Sequence, residues 1–388
     1  MSQASLSGHP FGVKYTMEQE KRKIRLGMVG GGNDAFIGEV HRIASRIDDR
    51  FTLEAGVLSA TYERSLQSGQ AIGIPSERIY RDYHEMAQAE AARDDGIEVV
   101  SIVTPNHVHF NACKAFLKAG IHVICDKPVT TTLDEAVELE RLISETGCRF
   151  LLTHNYSGYP MIREAKRIVA EGQLGNIRLV NVEYIQGWLA TDHDSKQAQW
   201  RLDPKQAGAG GCIGDIGTHA YQLARFVSGL RVEALSADLH SFGAERVLDD
   251  NAHIKLRFEG DARGMIWASQ VAIGYENGVK LRIIGDKGAL EFFQEDPNKL
   301  WFTPLDQPTT LLTRGGPKFR GDARVPAGHP EGFLEAFATL YSEFANQLEG
   351  KANDETLTPD IQDGIDGMRF IYAALSSSLK DGAWTQLI

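Results

Sequence analysis

The sequence predicts an α/β fold in two parts: a doubly wound parallel sheet, then an α+β domain with a large, mostly antiparallel open sheet. Strand-like segments alternate with amphipathic helical segments up to about residue 155, as in parallel sheets covered by helices. Beyond that point longer strand-like segments dominate and helices become sparse, which is typical of an α+β domain. A glycine-rich turn directly after the first strand is the third observation.

That first strand and its turn read Ile-Arg-Leu-Gly-Met-Val-Gly-Gly-Gly-Asn-Asp-Ala-Phe-Ile-Gly over residues 24–38. A strand, a glycine turn and a helix together present backbone N–H groups and a helix N-terminus to a pyrophosphate. Gly30 and Gly32 match the first two positions of G-x-G-x-x-G, whereas Ala35 stands at the third. Gly38 is the better third glycine, which makes the turn three residues longer than the standard form. An ordinary loop between a strand and a helix is the alternative interpretation.

The end of the second predicted strand, 51–58, bears on the type of dinucleotide. An acidic residue there would bind the adenosine ribose hydroxyls, but the chain has Ser59. Arg64 follows and could reach a 2′-phosphate, or it could be a solvated helix residue. The sequence therefore predicts NAD or NADP, with a slight preference for NADP.

Polar motifs follow the next two predicted strands. Further strands are predicted at 97–103, 121–125 and 150–156, with helices near 62–72, 82–93, 109–117 and 133–144. The motif Thr104-Pro-Asn-His-Val-His109 ends one strand, and Asp126-Lys127-Pro128 ends another. Ligands of such sheets bind at the carboxyl ends of the strands, where both motifs fall.

The second part contains a predicted helix at 159–171 and strands at 177–184, 232–242, 252–258, 264–271, 281–285 and 289–293. Helices at 333–348 and 359–380 end the chain. We expect an N-terminal extension at 1–22, a dinucleotide-binding domain at 23–155 and a substrate-binding and oligomerisation domain at 156–388. The C-terminal helices could pack back on the first domain.

Composition excludes several classes of protein. The 388 residues are 42% hydrophobic and 24% charged, as in soluble globular proteins, and the net charge of −11 argues against nucleic acid as a partner. Four cysteines form no C-x-x-C pair, which indicates free thiols in a reducing compartment. No secretory signal or membrane-length apolar run is evident, so we expect a cytoplasmic protein without a membrane partner.

A glycine-rich segment, residues 208–214, precedes Asp215 and His219. The two residues are four apart and would share one face of a helix, while the glycines would let the backbone approach a ligand. A surface pair on a helix is the alternative.

Together these motifs resemble the glucose–fructose oxidoreductase / inositol dehydrogenase / rhizopine catabolism (Gfo/Idh/MocA) family. The resemblance rests on four motifs: Thr104-Pro-Asn-His-x-His109, Asp126-Lys127-Pro128, Asp215-x-x-x-His219 and Glu171-Gly-x-Leu-Gly175. It implies a Rossmann domain, a C-terminal domain with an open sheet, NAD or NADP, a sugar or polyol substrate, and a homo-oligomer, dimer or tetramer, formed through that sheet. The cofactor-binding residues we expect are Gly30, Gly32, Phe36, Ile37, Ser59, Arg64, Thr104, Pro105, Asn106, His109, Asp126 and Lys127.

Oxidation of a secondary alcohol needs a base for the hydroxyl proton while hydride leaves the same carbon. His219 is the best candidate for the base, because its ordinary pKa lies near neutral pH. Lys127 would stabilise charge on the reacting oxygen, and Asp215 would orient the substrate or hold His219 in the useful tautomer. On its own, Lys127 at a strand end would more often be a solvated lysine.

Aromatic and polar residues are candidates for the substrate pocket: Asn155, Tyr156, Trp188, Trp200 and Arg201, together with Asp215 and His219. The tryptophans could equally belong to the core. Asp192-His193-Asp194 resembles a metal cluster but lacks a supporting ligand pattern, so we expect a solvated loop and no metal. His329 has no assigned role.

Two alternatives stay open. One is a dihydrodiol or tetrapyrrole reductase on the same architecture. The other is a non-catalytic regulator that only binds dinucleotide, which would not need the lysine, aspartate and histidine.

Overall fold

A computed structural model describes residues 22–33, 35–191, 200–244, 246–351 and 357–387. Most of the expected extension at 1–22 therefore lies outside the described residues, as does the Asp192-His193-Asp194 motif. Within the described residues the chain forms a five-stranded parallel sheet and a nine-stranded mixed sheet. The predicted fold class is confirmed.

The first sheet has the strand order β2-β1-β3-β4-β5. Its strands are β1 Ile24–Gly30, β2 Phe51–Val57, β3 Val99–Val103, β4 His122–Cys125 and β5 Phe150–Leu152. The helices are α1 Phe36–Ile47, α2 Tyr62–Ala71, α3 Tyr83–Ala91, α4 Asn106–Lys118 and α5 Leu133–Thr146. Strand β3 is buried at every position, as a central parallel strand covered on both faces must be.

The second sheet has the strand order β13-β12-β11-β10-β6-β9-β8-β7-β14, in which only β6 and β9 pair in parallel. Its strands are β6 Ile177–Ile185, β7 Val232–His240, β8 Asn251–Phe258, β9 Arg263–Ser269, β10 Gly278–Gly285, β11 Gly288–Phe293, β12 Lys299–Pro304, β13 Thr310–Thr313 and β14 Thr385–Gln386. The helices are α6 Pro160–Ala170, α7 Pro204–Ala207, α8 Thr218–Ser228, α9 Phe333–Leu348 and α10 Ile361–Ser378. The short strands β12, β13 and β14 were not predicted.

Two segments near the site differ from the sequence expectation. Helix α4 begins at Asn106, because Pro105 already occupies its N-cap position, rather than at His109. Strand β5 ends at Leu152 instead of continuing to residue 156, and a 3₁₀ turn over Asn155–Gly158 follows. The turn moves Asn155 and Tyr156 out of the sheet.

Among the described residues, helices cover one face of the second sheet and leave the other face open. Helix α8 packs on β6, and α10 packs on β7. Along β8 buried and exposed side chains alternate, as expected for a half-covered sheet. Leu179 and Met265 are more than two-fifths exposed on the neighbouring strands β6 and β9.

Helix α9 belongs to the core of the first sheet although it lies far along the chain. It packs against α1, and Phe337, Tyr341 and Phe344 are buried in one apolar cluster with Leu26 of β1. The Tyr341 hydroxyl donates to Ser101 Oγ of β3 at 3.1 Å. A helix from the last third of the chain thus completes the hydrophobic core beside the first sheet.

None of the described helices combines the length and apolar character needed to cross a bilayer.

Candidate functional site

The glycine turn after β1 is held by direct backbone contact with α1. Gly30 and Gly31 have φ angles of 85° and 74°, in the left-handed region that favours glycine. A Cβ atom on Gly38 would lie 2.2 Å from the Gly31 Cα atom, closer than any side chain tolerates. This contact explains why a glycine stands at 38 rather than at 35, and it brings the N-terminus of α1 against the turn.

Helix α1 offers its first-turn N–H groups to a ligand. Its N-cap residue is Ala35, which makes no capping hydrogen bond through its side chain. Phe36 is 61% exposed, and its ring stacks on Phe333 at 6.4 Å between centroids. Ile37 is half-buried and packs into the core beside the first sheet.

An unsatisfied hydroxyl lies beside the same turn. Thr104 Oγ1 is buried and has no hydrogen-bond partner among the described residues, and Thr104 Cγ2 lies 2.9 Å from where a Cβ on Gly30 would stand. On the other side, a Cβ on Gly32 would lie 2.6 Å from the carbonyl oxygen of Leu58, at the end of β2. The bare backbone, the uncapped helix and the orphaned hydroxyl fit a dinucleotide phosphate.

Ser59 and Arg64 flank this region. Ser59 Oγ accepts a long hydrogen bond from the Thr61 amide at 3.5 Å. Arg64 is exposed in the first turn of α2. Their placement is compatible with either dinucleotide.

The ring of His109, one of the expected cofactor residues, lies between two backbone carbonyl oxygens. It is fully buried, with Nδ1 2.8 Å from the Pro128 carbonyl oxygen and Nε2 2.9 Å from that of Thr104. Burial lowers the pKa of His109, and a neutral ring can donate only one of these hydrogen bonds. His109 therefore connects the loops after β3 and β4, while Asn106 donates to the Ala207 carbonyl oxygen at 2.9 Å.

Asp126 is held inside a polar network. His41 Nε2 of α1 lies 3.2 Å from its carboxylate, and Thr153 Oγ1 donates to the same oxygen. His41 Nδ1 in turn lies 2.8 Å from the Tyr341 hydroxyl. These contacts fix the backbone immediately before Lys127.

Lys127 and Asp215 form the centre of the candidate site. The Lys127 ammonium donates to the Asp215 backbone carbonyl and to its carboxylate at 3.1 Å. Arg201 Nε and Gln270 Nε2 donate to the other carboxylate oxygen at 3.2 and 2.9 Å. Burial alone would raise the pKa of Asp215, but the positive charges of Lys127 and Arg201 outweigh it and hold that pKa well below its usual range.

His219 lies on the same helical segment as Asp215, yet the two side chains face different partners. Asp215 belongs to a π-helical turn, Ile213–Gly217, that runs directly into α8, and such turns are frequent at functional sites. The ring of His219 packs edge-on against His154 and Tyr156, with centroid distances of 5.2 and 5.0 Å. Burial, then the charge of Lys127, lowers the pKa of His219.

Among the described residues, the carboxylate of Asp215 forms hydrogen bonds with Lys127, Arg201 and Gln270, and none of these bonds goes to His219. These contacts lend no support to the expected role of Asp215 in holding His219 in a tautomer. The glycines before it also act differently from the expectation, since a Cβ on Gly211 would lie 2.1 Å from the Asp249 carbonyl oxygen. That close approach is to the chain's own backbone.

Of the expected substrate residues, Arg201 contacts Asp215 and the ring of Tyr156 packs against His219. Asn155 is buried, and within the part of the chain that the structure describes its Nδ2 atom has no hydrogen-bond partner. The guanidinium of Arg201 lies 4.5 Å from the centroid of the Trp200 ring, and both residues line a small cavity with Asp215 and Asn106. The Tyr156 hydroxyl, in contrast, is engaged by Tyr184 at 2.7 Å, so only its ring faces His219.

Sequence reasoning missed several polar residues here. These are Gln270 after β9, His154 after β5, and Asn277, which bridges Tyr156 and Tyr184. Trp188, which the sequence did single out, donates to Gln186. The sequence could have indicated His154 only by its position, because it follows the carboxyl end of a strand of the first sheet. His329 is exposed, and its backbone oxygen accepts from Arg314.

Comparison with known proteins gives consistent matches over both halves of the chain. Residues 24–154 match the model of an oxidoreductase family with an NAD-binding Rossmann fold, and residues 162–291 match the GFO/IDH/MocA C-terminal domain. The chain is 36% identical to "Uncharacterized oxidoreductase YfiI" of Bacillus subtilis (strain 168), over 94% of this chain and 97% of that protein.

Two solved structures are similar over most of their length. An oxidoreductase from Sinorhizobium meliloti is 49% identical with a TM-score of 0.86, covering 94% of this chain and 99% of that one. An inositol dehydrogenase homologue from Azotobacter vinelandii, complexed with NADH and myo-inositol, is 35% identical with a TM-score of 0.87, covering 94% and 98%. With this fold and these matches over both halves, the chain belongs to the Gfo/Idh/MocA family of NAD-binding oxidoreductases.

Proposed function

We propose that this protein is an NAD(P)-dependent dehydrogenase that interconverts a secondary alcohol and a ketone on a sugar, an inositol or a related polyol. The observation that carries the proposal is the cluster of Lys127, Asp215 and His219 at the carboxyl end of the first sheet. An ammonium, a carboxylate and a neutral imidazole are the groups that alcohol oxidation requires there.

His219 is the proposed base. Its lowered pKa keeps the ring neutral at neutral pH, which is the form that can accept the hydroxyl proton. When bound, the nicotinamide cofactor supplies the hydride acceptor for the carbinol carbon. In the reducing direction His219 returns the proton to the oxygen.

Lys127 is the proposed electrostatic partner of the reacting oxygen. Asp215 holds the ammonium by two hydrogen bonds, so little reorganisation is needed as negative charge develops on the oxygen. Asp215 would also orient a substrate hydroxyl, a role that is supported by its side chain being about a quarter exposed.

A polyol is the proposed substrate class. The buried, unpartnered amide of Asn155 and the stacked pair of Trp200 and Arg201 offer a hydrogen bond and an aromatic face, which suit a hydroxylated ring. The similar protein from Azotobacter vinelandii is described as complexed with myo-inositol, which supports this class.

The direct test is turnover by the purified protein with NAD⁺ or NADP⁺ and a panel of polyols, followed in the nicotinamide absorbance band. Lys127→Met and His219→Ala are each expected to lower kcat at least about 100-fold. Cofactor binding, measured by titration calorimetry, should persist. Matched controls are Lys118→Met and His84→Ala, two exposed positions on α4 and α3, which should keep full activity.

Full activity in both site variants would refute the proposal. Turnover confined to dihydrodiols or tetrapyrrole precursors would favour a reductase on the same architecture. Cofactor binding without turnover on any substrate would favour a regulator.

Three further properties are part of the proposal. The cofactor is NAD or NADP, with the slight preference for NADP that Ser59 and Arg64 suggest. Arg64→Ala should weaken NADP⁺ binding more than NAD⁺ binding.

The open face of the second sheet joins copies of the chain into a dimer or tetramer, and light scattering would measure the oligomeric state. Four buried free cysteines suit a reducing, cytoplasmic setting.

A further inference from the structure

His219 needs a partner that sets its tautomer, and among the described residues none of the hydrogen bonds of the Asp215 carboxylate goes to it. A ring that accepts a proton at Nε2 must carry hydrogen on Nδ1, and that N–H group needs an acceptor. Within the described ranges the hydrogen-bonding contact of His219 Nδ1 is with Nδ1 of His154, at 3.4 Å.

His154 is buried beside His219, and its backbone is held on both sides. It is only 2% exposed, its amide donates to the Leu152 carbonyl oxygen at 2.9 Å, and its own carbonyl accepts from Ser157 Oγ at 2.8 Å. The two imidazole rings stand almost perpendicular, at 85°. The contact is long for a hydrogen bond, as is common for catalytic pairs before substrate binds.

The charges around His154 keep its ring neutral, so that one of its nitrogens has a lone pair. Burial, then the positive charges of Lys127 and Arg225, lowers its pKa to about 3, so that the ring stays neutral under working conditions. A neutral ring has one nitrogen with a lone pair, which can face a donor. Aromatic rings on the other sides of His219, from Tyr156 and Tyr184, offer no competing acceptor in contact with Nδ1.

We propose that His154 is the positioning residue of the site: its Nδ1 lone pair accepts the Nδ1–H of His219 and leaves His219 Nε2 for the substrate hydroxyl proton. On oxidation the proton moves from the alcohol oxygen to His219 Nε2, and the His219–His154 hydrogen bond persists. The inference rests on the proposed function for its catalytic meaning, but the hydrogen bond exists in the resting protein.

The first test measures the tautomer and not turnover. In protein labelled with ¹⁵N-histidine, nitrogen chemical shifts distinguish protonated nitrogens from lone-pair nitrogens, and the signals missing in His219→Gln identify residue 219. The wild type should show His219 protonated at Nδ1. His154→Phe, which keeps a planar ring, should shift the population towards Nε2–H, and His154→Asn, whose amide oxygen is an acceptor, should restore the Nδ1–H form.

The second test is kinetic. His154→Phe should lower kcat about tenfold or more, with KM for cofactor within about twofold, and His154→Asn should recover most of the loss. If the Phe variant does not fold, His154→Ala carries the same expectations. A wild-type His219 protonated at Nε2, or a folded Phe variant with an unchanged tautomer, would overturn the inference even if Lys127→Met and His219→Ala confirm the enzyme. Full activity of those two variants would defeat the proposed function while leaving the tautomer result intact.

Discussion

At the scale of single residues, the site is an arrangement of charge around one carboxylate. Asp215 balances two cations, Lys127 and Arg201, and takes a third hydrogen bond from Gln270. These neighbours stabilise the ionised form of the carboxylate, and the pKa of Asp215 is therefore lowered. Stability and the proposed chemistry therefore depend on the same atoms.

Asp215→Asn should lower the free energy of unfolding by about 1–3 kcal/mol at neutral pH, because two cations lose their counter-ion. The folded pKa of Asp215 lies below its unfolded value of about 3.9, so its contribution is complete above that pH. As the pH falls below about 4, the unfolded carboxyl takes up a proton first and the difference between the two proteins should shrink. Urea unfolding over a pH series measures this.

The matched control is Asp94→Asn, at an exposed position, which should change the free energy of unfolding by less than about 0.5 kcal/mol at every pH. If the difference in unfolding free energy between the wild type and Asp215→Asn grew on acidification, the pKa of Asp215 would not be lowered in the folded protein.

At the scale of elements, the glycine turn and α1 act as one unit. The backbone contact between Gly31 and Gly38 lets the helix N-terminus reach the edge of the sheet, where Thr104 Oγ1 is left without a partner. The third glycine stands later in the chain than in the standard motif, at 38 instead of 35, but it still allows close contact between the helix and the turn.

Gly38→Ala should weaken dinucleotide binding at least about tenfold and destabilise the protein by about 1–3 kcal/mol, because the new methyl group collides with backbone. Gly367→Ala is the control, since that glycine lies within α10 and its added Cβ would be 4.0 Å from the nearest neighbouring atom. It should stabilise the protein by about 0.4–1 kcal/mol. Calorimetric titration and denaturant unfolding measure both variants. Unchanged cofactor binding in Gly38→Ala would contradict the role given to the turn.

At the scale of the whole molecule, the C-terminal helix α9 reaches the site through hydrogen bonds. The path runs from Tyr341 through His41 to Asp126, the residue before Lys127. Burial raises the pKa of Tyr341, so its hydroxyl stays protonated and can donate. Distant parts of the chain are thus coupled to the position of the proposed electrostatic partner.

Tyr341→Phe should lower the free energy of unfolding by about 1–2 kcal/mol, because it leaves buried polar atoms of Ser101 and His41 with one partner fewer. Tyr372→Phe is the control, because this residue is 37% exposed and its hydroxyl donates a long hydrogen bond, 3.4 Å, to the Thr131 carbonyl oxygen. The measurement is the denaturant midpoint of each variant. Equal shifts for the two substitutions would show that the hydrogen bonds of Tyr341 do not contribute more to stability than that of Tyr372.

The sequence by itself determined the fold class, the glycine turn and the two motifs at the strand ends, because hydrophobic period and glycine placement are local properties. It could place Lys127 at a strand end and His219 four residues after Asp215. Only the tertiary structure decided that Asp215 bonds to Lys127, that His109 is a buried connector, and that His154 lies against His219. The contacts of Asp215 with Lys127 and of His154 with His219 join residues 88 and 65 positions apart, and that of His109 with Pro128 joins residues 19 apart. No local pattern specifies which side chains meet when separate strands and helices pack.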